Sequence, residues 1–179
     1  MIEMEIKRPA VLLLVLAAGI VSCQGKHSRV AVQNEEETSP QLASVVRMAD
    51  SAAKTQLISG FYGLENNSWR WTAGKFSALL RTPAGAAQGG ATVTFAFTVP
   101  DVSIQKLGPI SLTAMVNGMV LKTEQYEKPG MEIFAADLLP AMLATDSVKV
   151  DFVLDKTLPP GTDKRELGVI ATSVGISPK

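Results

Sequence analysis

The chain is poor in the residues that most often carry chemistry. Among 179 residues there is one cysteine, Cys23, and one histidine, His27, close behind it near the amino end. A Ser-His-Asp triad, a Cys-His pair or a histidine-ligated metal centre in the long body that follows is therefore excluded by inventory. An internal disulfide is excluded in the same way, so stability must come from a packed core, which a chain of this size can build. Net charge is absent too, with 17 basic against 17 acidic side chains, and a neutral surface argues against nucleic acid as a partner. Aromatics make up only 6% of the chain, including two tryptophans and two tyrosines, so each one that appears invites a reason. Long apolar runs are missing except for one, residues 10–21.

That run follows Lys7 and Arg8, and its length suits the apolar core of a signal peptide while falling short of the ~20 residues that span a bilayer. It closes on Ile20-Val21-Ser22-Cys23, which resembles the lipobox of bacterial lipoproteins. The resemblance implies that residues 1–22 are a removable signal peptide, that the Cys23 thiol is diacylated, and that the new amino group is acylated as well. Glu3 and Glu5 cancel Lys7 and Arg8, and initiation at Met4 would restore a positive start. Each buried acyl methylene contributes ~0.8 kcal/mol, so two or three chains at Cys23 suffice to hold a protein on a membrane. Gln24 in the next position resembles an outer-membrane sorting pattern, which places the expected product in the cell envelope, on the outer rather than the inner membrane. Residues 23–38, polar and charged, bury too little to offset the entropy of ordering and are expected to form a flexible tether.

Ser39-Pro40 then reads as a helix start, with Ser39 as N-cap and Pro40 in the first turn, giving an expected short helix over 39–55 with Leu42, Val45, Val46, Ala49, Ala52 and Ala53 on its stripe. From 56 to 179 the period changes to two. Phe76, Ala78 and Leu80 alternate, as do Val93, Phe95, Phe97 and Val99, and later Val148, Val150, Phe152 and Leu154. One dry face and one wet face is the mark of antiparallel sheet. Runs near 57–63, 68–72, 75–81, 91–99, 110–116, 119–125, 131–136, 147–154 and 168–176 give about nine strands, with Pro83, Pro100, Pro109, Pro129 and Pro140 between them. Asn117-Gly118 predicts a two-residue hairpin that sets Val116 opposite Met119, Ala114 opposite Leu121 and Leu112 opposite Thr123. A short helix is expected within Asp137 to Thr145. The expected fold is all-β: an antiparallel two-sheet sandwich, jelly-roll-like, preceded by that short helix.

Four segments carry the functional signal: Gly60-Phe-Tyr-Gly-Leu-Glu65, Trp69-Arg70-Trp71-Thr72, Val116-Asn-Gly118 and Asp163-Lys-Arg165-Glu-Leu-Gly168. In this order and spacing they resemble an all-β domain that opens on G-[WF]-Y-x-x-E and R-W-[TS], closes on D-x-R-x-L-G, and is appended to bacterial glycosyltransferases and other envelope-polysaccharide proteins. The likeness covers roughly residues 57–177. It implies a sandwich of the carbohydrate-binding-module type in a cell-surface glycan setting, here standing behind a lipid anchor without the usual catalytic partner.

Read physically, Trp69 and Trp71 are two apart on a strand and share a side, with Arg70 opposite. Indole faces stack on the C–H faces of sugars, and Arg and Glu bond vicinal hydroxyls, so Trp69, Arg70, Glu65 and Tyr126 are the candidate glycan contacts. Trp71 is expected to plug the core, and Glu65 with Arg70 and Asp163 with Arg165 to form structural ion pairs. Asp146, Asp151 and Asp155 lack ligand spacing for calcium and read as a solvated face. Thr92, Thr94 and Thr98 form a polar stripe on an exposed face whose edge can pair with a partner strand. No catalytic residue, cofactor or metal is singled out. The expectation is a non-enzymatic, lipid-anchored glycan-binding accessory, the alternative being an envelope lipoprotein that docks another envelope component.

Overall fold

The computed structural model describes residues 41–179. Its strands are β1 (Val45–Arg47), β2 (Leu57–Phe61), β3 (Arg70–Arg81), β4 (Ala91–Val99), β5 (Ile110–Val116), β6 (Met119–Tyr126), β7 (Gly130–Leu138), β8 (Ser147–Leu154) and β9 (Ile170–Pro178). Two short helices, α1 (Ala86–Gly89) and α2 (Asp101–Leu107), and 3-10 turns at Ser51–Thr55 and Pro140–Leu143 fill the connections. The segments read as signal peptide and tether, with Cys23, His27 and the Ser39-Pro40 cap, lie outside the described residues.

All paired strands run antiparallel, and hydrogen bonding continues from β6 through β5, β8, β3, β9 and β4 to β7. The sheet becomes two layers at β3. Lys75–Arg81 pair with β8, whereas Arg70 and Trp71 pair with β9, so one long strand belongs to both. Layer one is β6-β5-β8-β3-β2; layer two is β7-β4-β9, with β1 and the start of β3 side by side along the free edge of β9. The alternation read from the sequence supplies the filling. Phe76 and Phe152 from layer one meet Phe95 and Phe134 from layer two, with ring centroids 5.1 Å apart for Phe95–Phe152, 5.2 Å for Phe76–Phe95 and 6.3 Å for Phe134–Phe152. The sandwich is as expected, and four local features differ from the sequence reading.

Residues 41–55 do not form the expected helix. Their backbone groups bond outward instead: the Ala43 carbonyl accepts from the Arg81 amide, the Ser44 carbonyl from Ile176, and the Thr172 carbonyl accepts from the Met48 amide. Val45-Val46 supplies β-branched residues for a short strand on β9, with Val46 facing in, and the alanine-weakened stripe offers too little apolar width to hold a helix against that pairing. Gln56 fixes the turn back, its buried side chain donating to the carbonyls of Ala43 and Leu79 and accepting from the Ala43 amide. The sandwich therefore begins before residue 56. The expected runs 68–72 and 75–81 are a single strand, because Ala73-Gly74 continues the extended backbone through the layer change.

The hairpin turn is where the Asn-Gly pair places it, with φ of 52° at Asn117 and 78° at Gly118. Its register matches expectation for Val116 opposite Met119 and then slips at a bulge between Ala114 and Met115. Ala114 pairs with Lys122, Leu112 with Glu124 and Ile110 with Tyr126, while Leu121 is the extra residue and packs partly into the core. The expected helix over 137–145 is shortened because β7 runs on to Leu138, leaving a 3-10 turn led by Pro140.

Candidate functional site

The outward phase of layer two has a composition unlike the rest of the surface. Strand pairing sets Trp71 beside Ile170, Ile170 beside Thr98 and Thr98 beside Met131, one row across four strands. The next row is Arg47, Ser173, Ala96 and Ile133, and the one after it Val45, Gly175, Thr94 and Ala135. Within these rows Arg47 is the single charge. Asp137, one row further, is ion-paired to Lys179 at 2.9 Å. Apart from Ile170 the two middle strands present small residues, while Trp71, Val45, Met131 and Ile133 stand at the margins, so the face is a shallow trough. A cleft of about 370 Å³ lies over its β7 side, lined by Ala96, Phe97, Thr98, Met131, Glu132, Ile133 and Thr172. Met131 is 89% and Ile133 70% exposed, the two largest exposures among the described large apolar side chains. A bulge at Thr172 keeps the phase of β9 correct, its hydroxyl donating to the Ala96 carbonyl at 3.0 Å.

Trp69 continues the trough at the Trp71 end. The two indoles meet edge to face, centroids 6.3 Å apart and planes at 82°, and both are half-buried. Trp71 is thus not the expected core plug. It lies on the outer face because Arg70 takes the inward position of β3, where it is 6% exposed and donates from Nε to the Met48 carbonyl (3.3 Å) and from a guanidinium NH₂ to the Tyr62 carbonyl (3.0 Å). Arg70 does not pair with Glu65 and does not reach the outer face, so it leaves the set of candidate contacts.

Tyr126 leaves it as well. The bulge in β6 turns its ring inward opposite Ile110, where it is 6% exposed and meets Phe97 edge-on at 5.1 Å. Burial, then the charge and hydrogen bond of Glu124, then Glu132, push its phenol well above the ordinary value near 10. A folded state that holds the proton while the unfolded chain releases it loses stability as pH rises past about 10. Unfolding temperature is expected to fall above that pH in the wild type, and Tyr126→Phe to flatten that fall in a pH series followed by circular dichroism.

Glu65 keeps its expected structural role with a different partner. Its carboxylate accepts from Arg165 at 2.8 Å, and Asp163 accepts from the same guanidinium, on Nε at 3.1 Å and on the second NH₂ at 2.8 Å. The guanidinium also covers the Tyr62 ring, 5.1 Å from its centroid, and the Tyr62 hydroxyl donates to the Glu166 carbonyl. The Arg165 side chain, and next its backbone amide, hold the Asp163 carboxyl below its ordinary value. Whatever this clasp adds to stability is present above the ordinary carboxylate range near pH 4 and is lost as pH falls below it.

The remaining motif residues explain themselves by close packing. A Cβ on Gly60 would stand 2.0 Å from the Lys75 carbonyl oxygen, and one on Gly168 would stand 2.6 Å from both Thr72 Oγ1 and a Leu154 methyl. Thr72 is fully buried and its hydroxyl accepts from the Val169 amide at 3.1 Å. The two distant motifs are the two halves of one knot at the β2–β3 end of the sandwich. Among the described residues no group of three or more His, Cys, Asp or Glu side chains is placed to hold a metal ion, and no helix is long and apolar enough to cross a membrane.

Of the residues singled out from the sequence, Trp69 lies at the end of the trough and Glu65 is held on Arg165, while Ile170, Thr98, Met131 and Ile133 were not recognised as neighbours. Each is unremarkable within its own strand. Only the pairing of β9, β4 and β7 makes Ile170, Thr98 and Met131 a row with Ile133 in the next, and the available hint was the stretch Met131-Glu-Ile133, whose apolar residues stand out of phase with buried Phe134.

No protein-family model matches the chain, and no curated protein matches it. Solved structures do. The CBM36-1 domain of a multidomain xylanase from the hindgut metagenome of Trinervitermes trinervoides is 12% identical with a TM-score of 0.39, covering 73% of this chain and 94% of that one. A CBM4 structure is 12% identical with a TM-score of 0.33, covering 83% and 94%. An acetyl xylan esterase, Est2A, from the rumen bacterium Butyrivibrio proteoclasticus is 9% identical with a TM-score of 0.43, covering 78% of this chain and 34% of the enzyme. Two of the three are carbohydrate-binding modules. The all-β sandwich stands on its own strand pairing.

Proposed function

We propose that this chain is a lipoprotein of the bacterial cell envelope, held on the membrane through acylated Cys23, whose sandwich acts without catalysis as an accessory in cell-surface polysaccharide handling. It binds a glycan across the outer face of layer two. The observation that carries this reading is the row Trp71, Ile170, Thr98 and Met131 with Trp69 beside it: apolar groups for the C–H faces of a sugar, and threonine hydroxyls for its OH groups, in rows whose single charge is Arg47. The motif resemblance to envelope-polysaccharide domains supports the same setting. Glu65 serves this site through Arg165 and not by touching the sugar.

The test is titration of the full processed chain, in detergent micelles, against glycans released from the envelope. Trp69→Ala and Trp71→Ala are each expected to lose about 1.5 kcal/mol, on the order of tenfold in affinity. Equal, negligible binding by wild type and both variants would overturn the proposal. For the anchor, growth with a labelled fatty acid is expected to mark the wild type, while Cys23→Ser stays unmarked and leaves the membrane fraction; a marked Cys23→Ser protein would disprove it.

Docking of another envelope component is the second reading, and one observation favours it. Met131 and Ile133 stand exposed on β7, the last strand of layer two. Exposed apolar residues on such an edge are a ready template for a partner strand. Met131→Lys would abolish that association and weaken glycan binding only at one margin of the trough.

A further inference from the structure

The loop after β2 bonds to the backbone of both tryptophans, and two of its side chains meet at one residue. The Glu65 amide donates to the Trp69 carbonyl at 2.9 Å and Glu65 forms a two-way bridge with Trp69, while the Tyr62 amide donates to the Trp71 carbonyl at 2.9 Å. Between Glu65 and Trp69 the chain passes through Asn66 and Asn67, each with φ near +50°, a tight reversal whose residues 66–68 are all exposed. The side chains of the same two anchoring residues, Glu65 and Tyr62, converge on Arg165, one by a 2.8 Å ion pair and the other by its ring lying 5.1 Å beneath the guanidinium. Arg165 is itself fixed by bidentate contact with Asp163.

We infer that Arg165 is the positioning residue of the tryptophan pair: from the far end of the chain it fixes Glu65 and Tyr62, and through them the angle and separation of Trp69 and Trp71, without reaching the trough. This rests on the reading that the pair forms one end of a glycan site, but the positioning itself is a property of the unliganded protein. Glu65, Tyr62 and Asp163 then belong to one unit, and the D-x-R half of the closing motif exists to hold the opening motif's aromatic residues in shape.

The chain contains two tryptophans, and they are this pair, so every indole signal reports on it. Edge-to-face indoles at 6.3 Å couple excitonically, and the coupling depends on their mutual angle. The experiment compares circular dichroism and indole emission of the full processed chain in detergent, without ligand, for wild type, Trp69→Phe, Arg165→Met, Arg165→Lys and Glu65→Leu. Trp69→Phe identifies the coupled component by removing it. Arg165→Met is expected to lose most of that component and shift emission to the red while keeping its sheet spectrum, and Arg165→Lys to recover part of it, because an ammonium can hold a carboxylate but not also stack on Tyr62 in the same fork. An unchanged indole spectrum in folded Arg165→Met would overturn the inference. If Arg165→Met fails to fold, Glu65→Leu decides: it removes the acceptor of one arm and leaves Arg165 on Asp163, and retention of the full coupled signal would count as refutation. A spectral loss in Arg165→Met in a protein whose wild type binds no glycan leaves the positioning role standing and removes the glycan reading alone.

Discussion

Phe152→Ala is expected to lower unfolding free energy by about 3–5 kcal/mol, read as a shift in urea midpoint with little change in slope. Phe152 is fully buried in β8, stacked on Phe76 of its own layer at 5.1 Å and in contact with Phe95 and Phe134 across the sandwich. Truncation opens a void at the one place where both layers and four strands meet, and neighbours that are themselves large rings cannot collapse into it without leaving their rotamers. Against a typical total of 5–15 kcal/mol that loss is a large share, and the sole cysteine, at position 23, offers no disulfide to offset it. Phe152→Leu keeps most of the volume and is expected to cost under about 1.5 kcal/mol. Equal losses for the two variants would show that the void is not the cause.

Gly60→Ala is expected to be nearly as damaging, about 3 kcal/mol, although it adds one methyl group to a half-buried position. Two costs combine. Gly60 has φ of 72°, where an ordinary residue is disfavoured by about 1–2 kcal/mol, and the new Cβ would meet the Lys75 carbonyl at 2.0 Å, a backbone atom with no freedom to swing away. β2 would have to lift from β3, taking with it the Ser59–Ser77 hydroxyl contact and the edge of Phe61 on Phe76. Gly118→Ala is the internal control: φ is 78°, yet nothing lies within 4 Å, so only the conformational cost applies. Thermal unfolding of the pair should therefore place Gly60→Ala well below Gly118→Ala, and coincident curves would refute the steric argument.

The layers were legible in the sequence because a two-residue period with phenylalanine, valine and leucine on one phase has a single economical solution, a face turned inward. The Asn117-Gly118 turn was legible for the local reason that both positions need positive φ. What failed were judgements that depend on a partner. Val45-Val46-Arg47 becomes a strand only because β9 offers its edge, and Tyr126 is buried only because the slip at Leu121 rotates everything after it. Glu65 and Arg70 are close in sequence and of opposite sign, yet Arg165, a hundred residues on, takes the carboxylate, since Arg70 faces the interior by strand parity. The trough was invisible for the same reason: its four marking residues lie on four strands, and no local pattern joins them.

The middle place of β9 in layer two has a consequence for how this molecule comes into being. Residues 170–178 pair with β4 along their whole length, with β1 over Val45–Arg47 and with the first turn of β3, so three earlier segments wait for a late one. Contacts this remote in sequence form slowly. Layer two therefore closes only once β9 is in place, and until then β1, β4 and the start of β3 lack the strand that joins them.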